Sequence, residues 1–107
     1  MKSEEARAID ILVADAHGNA REKGFWDDID LTEPRVTLGL LMLITTEVAE
    51  AAEAVRRDDD ANFAEELADI CIRVFDVAGG LGVSLGEEIE RKMEANAERP
   101  RKHGKVC

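Results

Sequence analysis

The stretch Leu40–Asp69, LLMLITTEVAEAAEAVRRDDDANFAEELAD, constrains this chain more than any other. Its apolar residues recur every three or four positions on both sides of the acidic run Asp58-Asp59-Asp60. That pattern predicts two helices joined by a tight turn and laid antiparallel, an αα-hairpin. Glu47 and Glu50 stand three apart on the first helix, and Glu66 and Asp69 three apart on the second. Residues at i and i+3 share a helix face, so each helix offers one carboxylate pair. The hairpin turns the two pairs toward each other across a narrow gap. Four carboxylates that close repel unless protons or cations intervene. Their oxygens suit a hard ion such as Mg²⁺.

The context of the four acids favours a site. They lie beside the apolar stripe, whereas solvated carboxylates on a bundle sit opposite it. The competing reading is a solvated acidic face, in a chain that carries 24 Asp and Glu. Di-iron bundles use Glu-x-x-His pairs, but the two histidines here, His17 and His103, fall outside both motifs. A Cys/His zinc site fails for want of spaced ligands. What remains is Mg²⁺, with Mn²⁺ as the alternative, acting on a phosphate ester.

The 107 residues suit one domain, 1–107, with a basic tail from about residue 99. Apolar residues make up 45% and aromatics 4%, a mixture rich in Ala, Glu and Leu that favours helices. The net charge of −10 argues against a nucleic acid polymer as partner. An anionic substrate would need metal ions or a local basic patch. Cys71 and Cys107 make no disulfide framework, and the N-terminal MKSEEARAID is too acidic for a secretory signal. The longest strongly apolar stretch, Leu38–Ile44, is far short of the roughly 20 residues of a membrane span. The expectation is a cytoplasmic chain with no membrane contact.

Periodicity predicts an all-α, four-helix bundle-like protomer. The first helix runs near 3–23, capped by Ser3, with Ile9, Leu12, Val13, Ala16 and Ala20 inward and Gly24 as its stop. The loop Gly24–Glu33 carries Phe25 and Trp26, which either plug the end of the bundle or stack on a nucleobase. The second helix runs near 34–57 with a core stripe Leu40, Ile44, Val48, Ala51, Val55. Its first half is apolar all round, which predicts burial against another subunit. The third helix runs near 61–79, with Asn62 and Glu65 as a capping box. Leu67, Ile70, Cys71, Val74 and Ala78 form its apolar stripe, with Cys71 buried, and Gly79-Gly80 end it. Glu66, Asp69, Arg73 and Asp76 follow on the neighbouring stripe. The fourth helix runs near 84–98, with a second capping box, Ser84 and Glu87, and with Leu85, Ile89 and Met93 buried. His17 reads as structural or solvent-facing.

Three segments together, LMLITTEVAEAAEAVR, EELADICIRVFDVAGGLGVSL and EIERKMEANAERPRKHGK, resemble the MazG-like branch of the all-α nucleoside triphosphate pyrophosphohydrolases. The preceding KGFWDD fits as well, so the resemblance covers about 17–105. It implies a helical dimer or dimer of dimers that cleaves a nucleoside triphosphate between the α and β phosphates, with a leaning toward deoxynucleotides. It implies Mg²⁺ at Glu47, Glu50, Glu66 and Asp69, and it sets Lys92 and Asn96 at positions that face the nucleotide. Where some members carry a further Glu just before the first motif, this chain has Thr46.

On this reading the reaction is metal-assisted hydrolysis, with Glu47 or Glu50 taking the proton of the attacking water. Lys92, with Arg99, Lys102 and Lys105, would hold the outer phosphates, and Phe25 or Trp26 would line the base pocket. Two rivals remain: a non-enzymatic acidic module that binds a protein, and a related enzyme acting on a phosphoribosyl nucleotide.

Overall fold

The structure, a computed structural model, describes residues 2–101. These contain four helices and no strand: α1 (Glu4–Glu22), α2 (Pro34–Arg56), α3 (Asp60–Leu81) and α4 (Leu85–Ala97). Their principal contacts run α2 to α3, α3 to α1, and α1 to α4. The helices therefore form a row more than a closed bundle. The extents of 45 × 44 × 28 Å and a radius of gyration of 16.0 Å agree, since a compact domain of this length would have about 13 Å.

Several helix ends are set by local chemistry. The Ser3 hydroxyl accepts the Ala6 N–H, as a Ser N-cap should. After α1, Gly24 takes φ 82°, and Phe25 N–H reaches back to the Ala20 carbonyl at 3.1 Å, closing a Schellman motif. The hairpin turn repeats this motif without glycine. Asp58 sits at φ 53° and Asp59 N–H bonds Ala54 O at 3.0 Å. The Asp59 carboxylate then accepts Asn62 N–H and caps α3. The cap is thus Asp59, from the acidic run that the sequence reads as a turn with an N-cap, and not the Asn62–Glu65 box.

Helix α3 runs through Gly79 and Gly80 and stops at Gly82, in the left-handed conformation with φ 70°. The two glycines are passages for neighbours. A Cβ on Gly79 would lie 2.6 Å from His17 Cβ, and one on Gly80 would overlap the Trp26 ring. At α4 the Ser84 side chain makes no cap, against expectation. Asp10 of α1 takes its place, accepting Gly86 N–H at 3.0 Å while bonded to Lys2 at 2.7 Å. These two donors hold the Asp10 carboxyl below its usual range. Gly86 lets the α1 and α4 backbones touch, since a Cβ there would strike the Ala6 carbonyl.

Packing departs from the expected stripes. On α2 the inward line is Leu40, Ile44, Glu47, Ala51 and Ala54; Val48 and Val55 are 49% and 58% exposed. The small Ala51 and Ala54 bring α3 close along that line, which rotates Val48 and Val55 outward. On α3, Leu67 and Cys71 are exposed, as are Leu12 on α1 and Met93 on α4. Each belonged to an expected apolar stripe, but in a row of helices each element is covered on fewer sides than in a closed bundle. Among the described residues no helix is long and apolar enough to cross a membrane.

Candidate metal centre

Glu47 occupies a position on the packed line of α2 that apolar patterning would fill with a hydrophobe. Its side chain is 12% exposed. From α3, Glu66 and Asp69 meet it: each of the three offers an oxygen, all within 4.8 Å of one another. Glu50, one turn on from Glu47, is exposed and lies outside this triple, yet its charge acts on Glu66.

The electrostatics of the cluster are uneven. Burial, and then the Glu50 and Glu47 carboxylates, push the Glu66 carboxyl up to about 7. Glu47 moves the other way, held down by its bond from Arg73, Nε to Oε1 at 2.7 Å. Glu66 Oε2 is buried without a hydrogen-bond partner among the described residues. An acceptor left unsatisfied in that way is unfavourable. A divalent cation would satisfy it and quiet the repulsion that raises Glu66. The all-oxygen donor set suits Mg²⁺ or Mn²⁺ rather than a soft metal.

Beside the cluster runs a groove of about 320 Å³. Glu47, Asp69, Ile72, Arg73 and Asp76 form one bank, and Ala16, Asn19, Ala20, Lys23 and Phe25 the other. Its size is at the low end of small-molecule pockets, about 300–1,000 Å³. Phe25 is 72% exposed over it. Trp26 does not line it. The Trp26 indole N–H donates to Asp76 Oδ1 at 2.7 Å, and His17 Nδ1 lies 2.9 Å from the same oxygen. The two rings meet edge to face at 4.8 Å. Of the two readings for His17, structural or solvent-facing, its contacts with Asp76 and Trp26 favour the first.

A model of the MazG nucleotide pyrophosphohydrolase domain matches residues 37–103. The chain belongs to that family. The MazG match takes in α2, α3, α4 and all four acids, while α1 and the Phe25–Trp26 loop precede it. No curated protein and no solved structure matches the chain. MazG membership supports a hydrolase of phosphoanhydrides at the level of the family.

Of the remaining expected site residues, those described do not line the groove. Lys92 and Asn96 are on α4, which packs on α1, and neither lines the groove. Asn96 Oδ1 is buried without a partner among the described residues. Arg99 follows the end of α4, its N–H on Asn96 O at 3.2 Å. Lys102 and Lys105 lie outside the described residues. Four polar groove residues carried no site role in the sequence reading: Arg73, Asp76, Lys23 and Asn19. For Arg73 a signal existed, because it falls four residues after Asp69 on the same helix face.

Proposed function

We propose that this chain is a Mg²⁺-dependent hydrolase that converts nucleoside or deoxynucleoside triphosphates to monophosphate and pyrophosphate, with Mn²⁺ able to substitute. The observation that carries the reading is the convergence of Glu47, Glu66 and Asp69 around the unpartnered Glu66 oxygen. When bound, the cation would neutralise phosphate charge and acidify a coordinated water. Glu47, Glu66 and Asp69 would hold it, with Glu50 at the rim as the fourth carboxylate. Glu50, unencumbered by Arg73, takes the proton of the attacking water; Glu47 is the alternative base. Phe25 offers a face for the base, and Trp26 fixes the loop that presents it.

Lys92, Asn96, Arg99 and Lys105, whose described members do not line the groove of their own protomer, would supply cationic and polar contacts to the outer phosphates from a second copy. In the protein they belong to a homodimer or dimer of dimers, in which a second copy covers the outer face of α2. Leu38, Leu41, Val48 and Val55 are all exposed there and recur at helical spacing. We place the enzyme in the cytoplasm, cleaning the nucleotide pool.

The test is pyrophosphate release from the eight common nucleoside triphosphates, with Mg²⁺ and with a chelator. Glu50→Gln and Asp69→Asn should each abolish release while the helical content survives. A protein-binding module would tolerate both changes and ignore the chelator. Stronger turnover of a phosphoribosyl nucleotide would move the substrate assignment.

A further inference from the structure

Arg73 reaches from α3 to Glu47 on α2, and Glu47 is one of the three residues whose oxygens converge. Its guanidinium thus meets, from one side, a carboxylate that a metal ion would also claim. The pairing is lopsided. Glu47 is nearly enclosed at 12% exposure, while the Arg73 side chain is 42% exposed and borders the groove with Asp69, Lys23 and Phe25. The contact is made by Nε, the donor nearest the aliphatic stem, and the terminal nitrogens of the fork lie farther out.

We infer that Arg73 is a displaceable counter-ion that holds Glu47 before metal arrives, then releases it and turns onto the phosphate chain of the ligand in the groove. This rests on the metal reading proposed above. An ion pair with one partner this exposed contributes little and is readily exchanged. A divalent cation neutralises Glu47 more fully than one guanidinium, and it repels the guanidinium it replaces. Freed beside Asp69, the planar fork suits two phosphate oxygens at once. Arg73 is therefore a positioning residue for Glu47 in one state and a ligand contact in the other. Metal and phosphate then assist each other: the metal frees Arg73 for phosphate, and phosphate draws Arg73 off the metal's ligand.

The test titrates Mn²⁺ into the full chain, followed by calorimetry, without nucleotide and then with inorganic pyrophosphate at buffered free Mn²⁺. Wild type should bind Mn²⁺ about tenfold tighter when pyrophosphate is present. Arg73→Gln should bind Mn²⁺ alone about three- to fivefold tighter than wild type, for want of the competitor, and should lose most of the pyrophosphate coupling. Arg73→Lys keeps the charge; it should compete for Glu47 nearly as well but couple more weakly, lacking the fork. An Arg73→Gln protein that folds normally but binds Mn²⁺ no tighter overturns the inference, and so does coupling that survives the substitution. Wild type that takes up no Mn²⁺ overturns the metal reading itself, and the Arg73 exchange with it.

Discussion

Trp26 Nε1 lies 2.7 Å from Asp76 Oδ1, and that one oxygen also faces His17 Nδ1 at 2.9 Å. The carboxylate of α3 therefore ties down both α1 and the loop that follows it. Trp26→Phe keeps an aromatic side chain but removes the indole N–H donor and part of the packed ring, and the lost hydrogen bond alone should lower stability by about 1.5–3 kcal/mol. Gly80→Ala should also destabilise, by about 1–3 kcal/mol, because the new methyl meets the Trp26 ring. Gly18→Ala is the control: no atom lies within 4 Å of its added Cβ, so it should gain up to about 1 kcal/mol. Urea midpoints at matched slope measure all three.

The hairpin between α2 and α3 places Asp58 at φ 53°, where an L-residue is disfavoured. Asp58→Gly should raise stability by about 0.5–1 kcal/mol, with both flanking hydrogen bonds kept. Thermal unfolding in the presence of chelator isolates that gain from metal binding.

Glu66 governs the pH response of the metal-free protein. Its carboxyl rises from an ordinary 4.5 to about 7 on folding, so the folded state holds a proton that the unfolded state has already released. The stability this contributes is fully present below pH 4.5 and is lost as pH climbs through about 7. Denaturant titrations with chelator should show that decline in wild type and a flatter profile in Glu66→Gln. Cation binding requires the ionised form. Below about pH 7, Mg²⁺ uptake should therefore release a proton, visible as a buffer-dependent heat in calorimetry.

The outer face of α2 supplies a test of assembly. Leu41→Glu or Val48→Glu puts a charge on an already exposed apolar surface and should cost the isolated protomer little. In an oligomer that buries this face, either change should shift sedimentation toward the monomer. A wild-type protein that sediments as a monomer at micromolar concentration contradicts the proposal.

Helix content and the carboxylate pairs were legible because both rest on periodicity. Ser3 and Gly24 acted as the sequence suggested because caps of that kind are local. The failures were tertiary. Nothing near Ser84 reveals that Asp10, on another helix, would cap α4. Gly79-Gly80 reads as a stop until His17 and Trp26 are seen pressed against those positions. The α2 stripe was misjudged because hydrophobicity favoured Val48 and Val55, while close approach favoured Ala51 and Ala54. That same preference for small residues set Glu47 on the inner line. Arg73 was legible as part of the acidic stripe but not as the partner of Glu47, which lies on the facing helix.

The groove has banks of different standing. Its carboxylate side falls within residues 37–103, while Ala16, Asn19, Ala20, Lys23 and Phe25 all come earlier in the chain. A fragment trimmed to the matched segment would retain Glu47, Glu50, Glu66 and Asp69 yet surrender the opposite shore, along with the Asp10 that steadies the start of α4. That cut would also strip α4 of the helix it packs on, so the segment that carries the carboxylates depends on the one that precedes it for both its packing and its groove.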